Sequence, residues 1–143
     1  MRRLAPVLVA VLALAACGGS SNSTSSSGPD AQAQIKSAYA KFFSGKTSLP
    51  DRVALLQNGP KFKSVVHGFA SNPLAKNVSA TVSSVTLQGA NAAKVVYIVK
   101  LGGAALPKQT GSAVRENGTW KVGDASLCKL IALQGSTPSA CKS

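Results

Sequence analysis

The sequence predicts an α+β domain in which about three N-terminal helices pack on a curved antiparallel sheet of about four strands. Two observations carry this. Apolar residues recur at helical spacing as far as Asn72-Pro73, and at a period of two beyond it. Asn117-Gly118, a hairpin turn signal, separates two of the period-two runs. Helices grouped ahead of strands, not alternating with them, place the chain in the α+β class. Residues 30–143 supply 114 positions, enough for one compact domain and too few for two.

Pro29-Asp30 followed by "AQAQIKSAYAKFFSG" reads as the first helix, with Asp30 as its N-cap and Gly45 as its stop. Ile35, Ala38, Tyr39 and Phe42 form its apolar face. "SLPDRVALLQNG" is a second, short helix with Pro50 in its first turn and Asn58-Gly59 at its end. "PKFKSVVHGFA" sets Phe62, Val65, Val66 and Phe69 on one face of a third. In "VSATVSSVTLQG" the alternation of Val78, Ala80 and Val82 slips phase to Val85 and Leu87, which predicts a bulge or bend. "AAKVVYIVKLGG" alternates Val95, Tyr97, Val99 and Leu101 against Lys94, Val96, Ile98 and Lys100, the clearest strand of the chain. "LGGAAL" reads as a turn. "LPKQTGSAVRENG" is then a third strand with one face in solvent, and "TWKVGDAS" returns as the fourth with Trp120 and Val122 inward. "SLCKLIAL" predicts a short closing helix capped by Asp124 or Ser126. Helices on one face of a curved sheet leave a cone whose open end can hold a ligand. Tyr97 and Trp120 are the candidate pocket-lining residues, because each pairs an apolar ring with a polar atom.

The N-terminus carries an address. Arg2 and Arg3 precede an apolar stretch, Leu4 to Ala15, too short for a permanent membrane span but suited to a signal peptide. Leu14-Ala15-Ala16-Cys17 resembles a bacterial lipobox, in which small residues fit the peptidase cleft and the cysteine sulfur takes lipid. Residues 18–28 are Gly, Ser, Asn and Thr throughout and cannot bury apolar area. As a Gly/Ser coil such a segment spans roughly 18 Å. The expected organisation is therefore a lipoprotein signal peptide over 1–16, lipidated Cys17 with a flexible tether over 17–29, and a single α+β domain over 30–143. The expected location is the extracytoplasmic face of the cell membrane, with shedding or secretion as a further fate.

The formal charge of +12 falls to +10 once Arg2 and Arg3 leave with the signal. The remainder holds 12 lysines but only Arg52 and Arg115 as arginines, with no run of three basic residues. Nucleic-acid readers rely on arginine forks and exposed aromatics, so that class is excluded. A basic surface facing anionic envelope polymers or lipid headgroups fits better. With Cys17 assigned to lipid, Cys128 and Cys141 remain as a disulfide pair in an oxidising compartment. Their bridge would close a loop of about 14 residues, worth about 3 kcal/mol on the chain-entropy model. The alternative of a metal site finds one histidine, His67, and no C-x-x-C.

His67 is also the natural acid–base candidate. Its possible orienting acids, Asp30, Asp51, Glu116 and Asp124, each have a structural position, and no two suggest a carboxylate pair. There is no G-x-S-x-G. No catalytic residue, cofactor or metal is expected.

"FFSGKTSLPDRVALLQNG" and "ENGTWKVGDASLCKLIAL" together resemble the C-terminal domain of the low-molecular-weight secreted antigen family of mycobacteria and other actinobacteria. The resemblance covers about residues 30–143. It implies a cystatin-like, nuclear-transport-factor-2-like cone fold, here on a lipoprotein, and an exported protein without an assigned enzymatic activity. The lipobox and the Cys128/Cys141 pair depart from the family pattern and bring free secretion into question. The expectation is a non-enzymatic binding or accessory module. Its partner would be an anionic envelope polymer, an apolar small ligand or an envelope protein. The alternatives are a structural lipoprotein with no small-molecule site, or a cone-fold enzyme using His67.

Overall fold

A computed structural model describes residues 28–142. The expected signal peptide, the expected lipidation site Cys17 and the expected tether before Gly28 lie outside the described residues. The fold is α+β, with helices packed on one face of a curled antiparallel sheet.

Helix α1 (Pro29–Phe43) starts one residue before the expected cap. Gly28 occupies the N-cap position, Pro29 the first turn, and the Asp30 carboxylate favours the positive end of the helix dipole. Ala31, Ile35, Ala38, Tyr39, Phe42 and Phe43 are buried at the predicted spacing. Helix α2 (Leu49–Ala54) has Ser48 as its cap, with the hydroxyl accepting from the Asp51 amide. The third predicted helix divides into a 3-10 turn (Gly59–Phe62) and helix α3 (Lys63–Ser71).

Strand β1 (Val78–Leu87) pairs with β2 (Ala92–Leu101) through a bulge at the predicted phase slip. Val82 lies opposite Tyr97 and Ser84 opposite Val96, leaving Ser83 as the extra residue. The insertion keeps Val82 and Val85 on the core side, where their partners Tyr97 and Val95 also point. Ala104 and Ala105, within the segment expected as a turn, form a two-residue strand β3 (Ala104–Ala105), and the expected third strand is β4 (Gln109–Glu116). Asn117 and Gly118 both adopt positive φ, 51° and 77°, and join β4 to β5 (Thr119–Val122) in the two-residue turn that matches strand twist. The sheet order is β1-β2-β4-β5, with β3 on β2.

The outer edge of β5 is closed by the loop after α2. Gln57 donates to the Val122 carbonyl at 2.9 Å, and Val122 donates to Leu55 at 2.8 Å. Helix α4 (Asp124–Ala132) follows, but neither predicted side chain caps it. Gly123 holds the cap position; Asp124 instead accepts from Asn58 Nδ2 at 2.9 Å. Ser126 is buried, its hydroxyl accepting from the Ser112 amide at 2.8 Å.

Candidate binding site

The inner face of the sheet is filled by side chains. Tyr97 is 1% exposed and Trp120 3%, and neither borders the surface cavities described below. The Tyr97 ring lies 4.9 Å from Tyr39 and 5.7 Å from Phe43, so three aromatics from α1 and β2 occupy the space that an open cone would leave. The Trp120 indole nitrogen is buried, with no hydrogen-bond partner among the described residues. Tyr39 donates its hydroxyl to the Ser112 carbonyl at 2.6 Å and lies 3.0 Å from the Ser126 hydroxyl.

Burial pushes the Tyr97 phenol up to about 12 and moves Tyr39 further in the same direction, against the favourable Ser126 contact. Each folded phenol holds its proton more tightly than the unfolded chain does. Their stabilising effect is therefore complete below pH 10 and is lost as pH rises through 10 toward 12. Spectrophotometric titration should show no phenolate in the folded protein near pH 10.5, with both tyrosines titrating together at alkaline unfolding. A normal tyrosine titration centred on 10 in folded protein would contradict this packing.

His67 is exposed on α3, and among the described residues no hydrogen bond or ion pair joins its imidazole to an acid. Asp51 accepts from the Ser48 hydroxyl at 2.6 Å, Asp124 is held by Asn58, and Glu116 lies 3.4 Å from Lys121 Nζ. Among the described residues no three His, Cys, Asp or Glu converge to hold a metal. Cys128 of α4 and Cys141 of a terminal 3-10 turn (Ser139–Cys141) form a disulfide with Cα atoms 5.7 Å apart.

The most unusual element is α2. Its apolar residues Leu49 and Val53 are only half-buried, while Arg52 is 2% exposed. The Arg52 guanidinium donates through Nη2 to the Ser44 carbonyl at the end of α1 and lies over the Phe69 ring, 5.7 Å from its centroid. The Ser44 carbonyl also accepts from the Thr47 amide at 3.2 Å, so Arg52 is its second donor, at a helix C-terminus where the dipole favours a cation. Among the described residues Nε and Nη1 have no hydrogen-bond partner, and desolvation lowers the arginine's affinity for its proton. Sequence reading counted Arg52 with the surface charges. Nothing in "LPDRVA" marks it as internal, because its burial depends on how α1, α2 and α3 meet.

With its cation buried, α2 leaves Leu49 and Val53 packed against the rim of the core and half-exposed. Leu49, Pro50, Val53, Pro60 and Lys63 line a cleft of about 520 Å³ between α2, the 3-10 turn and the start of α3. Four of the five residues are apolar and the fifth is a cation. On the other flank of α2, a hollow of about 590 Å³ is lined by Lys41, Lys46, Thr47, Ser48, Asp51, Ala54 and Leu55. There Thr47 already donates to Lys41 O at 2.6 Å, and Ser48 to Asp51.

Residues 28–138 match the family model described as low molecular weight antigen MTB12, C-terminal domain. No match was found among the curated proteins.

Proposed function

This chain belongs to the low molecular weight antigen MTB12 C-terminal domain family, and from that premise we propose that it is an exported, lipid-anchored binding module of the cell envelope. The observation that carries the anchor is Leu14-Ala15-Ala16-Cys17 after a basic start and a short apolar run. A diacylated or triacylated Cys17 would hold the protein stably, where a single chain would not. The folded domain, beginning at Pro29, would then stand a short tether away from the membrane surface, facing outward.

Two features support binding over catalysis. His67 is exposed, and among the described residues no acid is bonded to it as a general acid–base pair would need. The cleft beside α2 offers apolar surface with one charge, an arrangement suited to recognition.

Cys17→Ala tests the anchor. The expected result is loss of the protein from the membrane fraction, or accumulation of unprocessed precursor, together with loss of lipid mass on the mature chain. A variant still fractionating as mature lipoprotein would overturn the reading.

A further inference from the structure

We propose that the α2 cleft binds a monomeric amphipathic anion, with its hydrocarbon chain against Leu49, Pro50, Val53 and Pro60 and its carboxylate or phosphate at Lys63. This deepens the binding-module reading by naming its ligand class, and it rests on that reading.

The chemistry of the lining narrows the occupant. Lys63 is the only charged side chain among the lining residues, and no carboxylate opposes it, so the complementary charge is negative. Pro50 and Pro60 form part of the wall and have no backbone N–H to offer. A sugar polymer or an extended peptide, both read through many hydrogen bonds, would find almost no donors here. An alkyl chain needs none. The volume lies within the range of about 300–1,000 Å³ typical of small-ligand sites. The hollow on the other flank of α2 sets Lys41 and Lys46 against Asp51, the same net charge, but five of its seven lining residues are polar or charged, so it offers an alkyl chain less of a wall.

The cleft is also built in advance. Asn58 adopts φ 53° and donates to Asp124 of α4, fixing the turn that enters the 3-10 segment. Gly59 is buried so tightly against α2 that a β-carbon would fall 1.8 Å from the Val53 carbonyl oxygen. Arg52 holds α2 from beneath through Ser44 and Phe69. Leu49 and Val53 pack against the core on one side and present their half-exposed faces to the cleft on a fixed frame, where rigid apolar walls favour binding. The net positive charge of the domain attracts anions from a distance.

The test uses the full mature chain with its disulfide intact, and isothermal titration with laurate and dodecyl phosphate below their micelle concentrations. Dodecanol and inorganic phosphate serve as the chain-only and head-only probes. Saturable binding of one anion per protein is expected, with dodecanol weaker and phosphate alone silent, and amide shifts centred on Leu49, Val53 and Lys63. Lys63→Glu should weaken both anions about tenfold while leaving dodecanol nearly unchanged. Val53→Ser should weaken all three amphiphiles, and the distant Lys108→Glu none. Circular dichroism confirms that each variant is folded.

Equal binding of dodecanol and laurate would overturn the proposal, as would a Lys63→Glu variant that behaves like Lys108→Glu. Binding to anionic vesicles with none to the monomers would also overturn it, and would assign the surface to the bilayer. The Cys17→Ala fractionation is read separately, so failure of the cleft and failure of the anchor are distinguishable.

Discussion

Gly111→Val should lower unfolding stability by about 4 kcal/mol, a large share of the roughly 5–15 kcal/mol that holds a domain folded. Gly111 lies opposite Val95 in the β2–β4 ladder, on the face covered by α1 and α4. A β-carbon there would fall 2.3 Å from the Ser126 hydroxyl oxygen and 2.9 Å from Tyr39 Oη. Two penalties then combine. The added carbons overpack a core already filled by aromatic rings, and they displace the Tyr39 and Ser126 hydroxyls from the Ser112 backbone groups they satisfy. Urea titration followed by Trp120 fluorescence measures the loss, and a midpoint shift equivalent to less than about 1 kcal/mol would refute the argument. The cause can be separated from a general intolerance of β4. Gly111→Ala combined with Ser126→Ala should cost less than the sum of the two single changes, because the second removes an atom that the first collides with.

That glycine shows where the sequence stops being legible. In "QTGSAV" it has no turn signal and sits in a strand, and only the approach of Ser126 and Tyr39 from remote segments explains it. What can be read along the chain is local periodicity. The alternation of β2, the phase slip that becomes the Ser83 bulge and the Asn117-Gly118 turn all depend on residues a few positions apart, and all three appear where the spacing puts them. The apolar faces of the first and third helices follow the same rule.

Caps were less legible, because a capping residue competes with tertiary partners. Asp124 bonds Asn58, Ser126 bonds Ser112, and Gly123 takes the N-cap position of the helix they were expected to cap. The candidate site was not legible at all. Tyr97 and Trp120 drew attention as amphipathic rings, yet the curled sheet and α1 enclose both. The cleft is formed by Leu49, Pro50 and Val53 meeting Pro60 and Lys63 across the turn at Asn58-Gly59. Its apolar residues read as ordinary core until Arg52 is seen to take the inward position on α2.

Removing the disulfide, by Cys128→Ser with Cys141→Ser, should release the C-terminal tail before it unfolds the domain. Residues 133–137 and Ser139 are exposed, and only Pro138, Ala140 and Cys141 are partly covered. Ordering each residue costs about 1–2 kcal/mol of chain entropy, whereas three half-covered small side chains recover little of that by burial. The loop constraint, worth about 3 kcal/mol, is therefore the main force holding the tail to α4. Helix α4 itself is retained by buried Leu127, Leu130 and the Ser126 hydroxyl, none of which needs the bridge. The double variant should thus become sensitive to proteolysis between Leu133 and Ser139 and lose amide protection there, while β1, β2 and β4 stay protected. Because the tail is freed in the native state as well, the global loss should be about 1–3 kcal/mol, at or below the full loop term. A reduced chain whose tail remains protected would show that packing, not the disulfide, holds it. A chain that unfolds throughout would show that α4 depends on the tail for its place on the sheet.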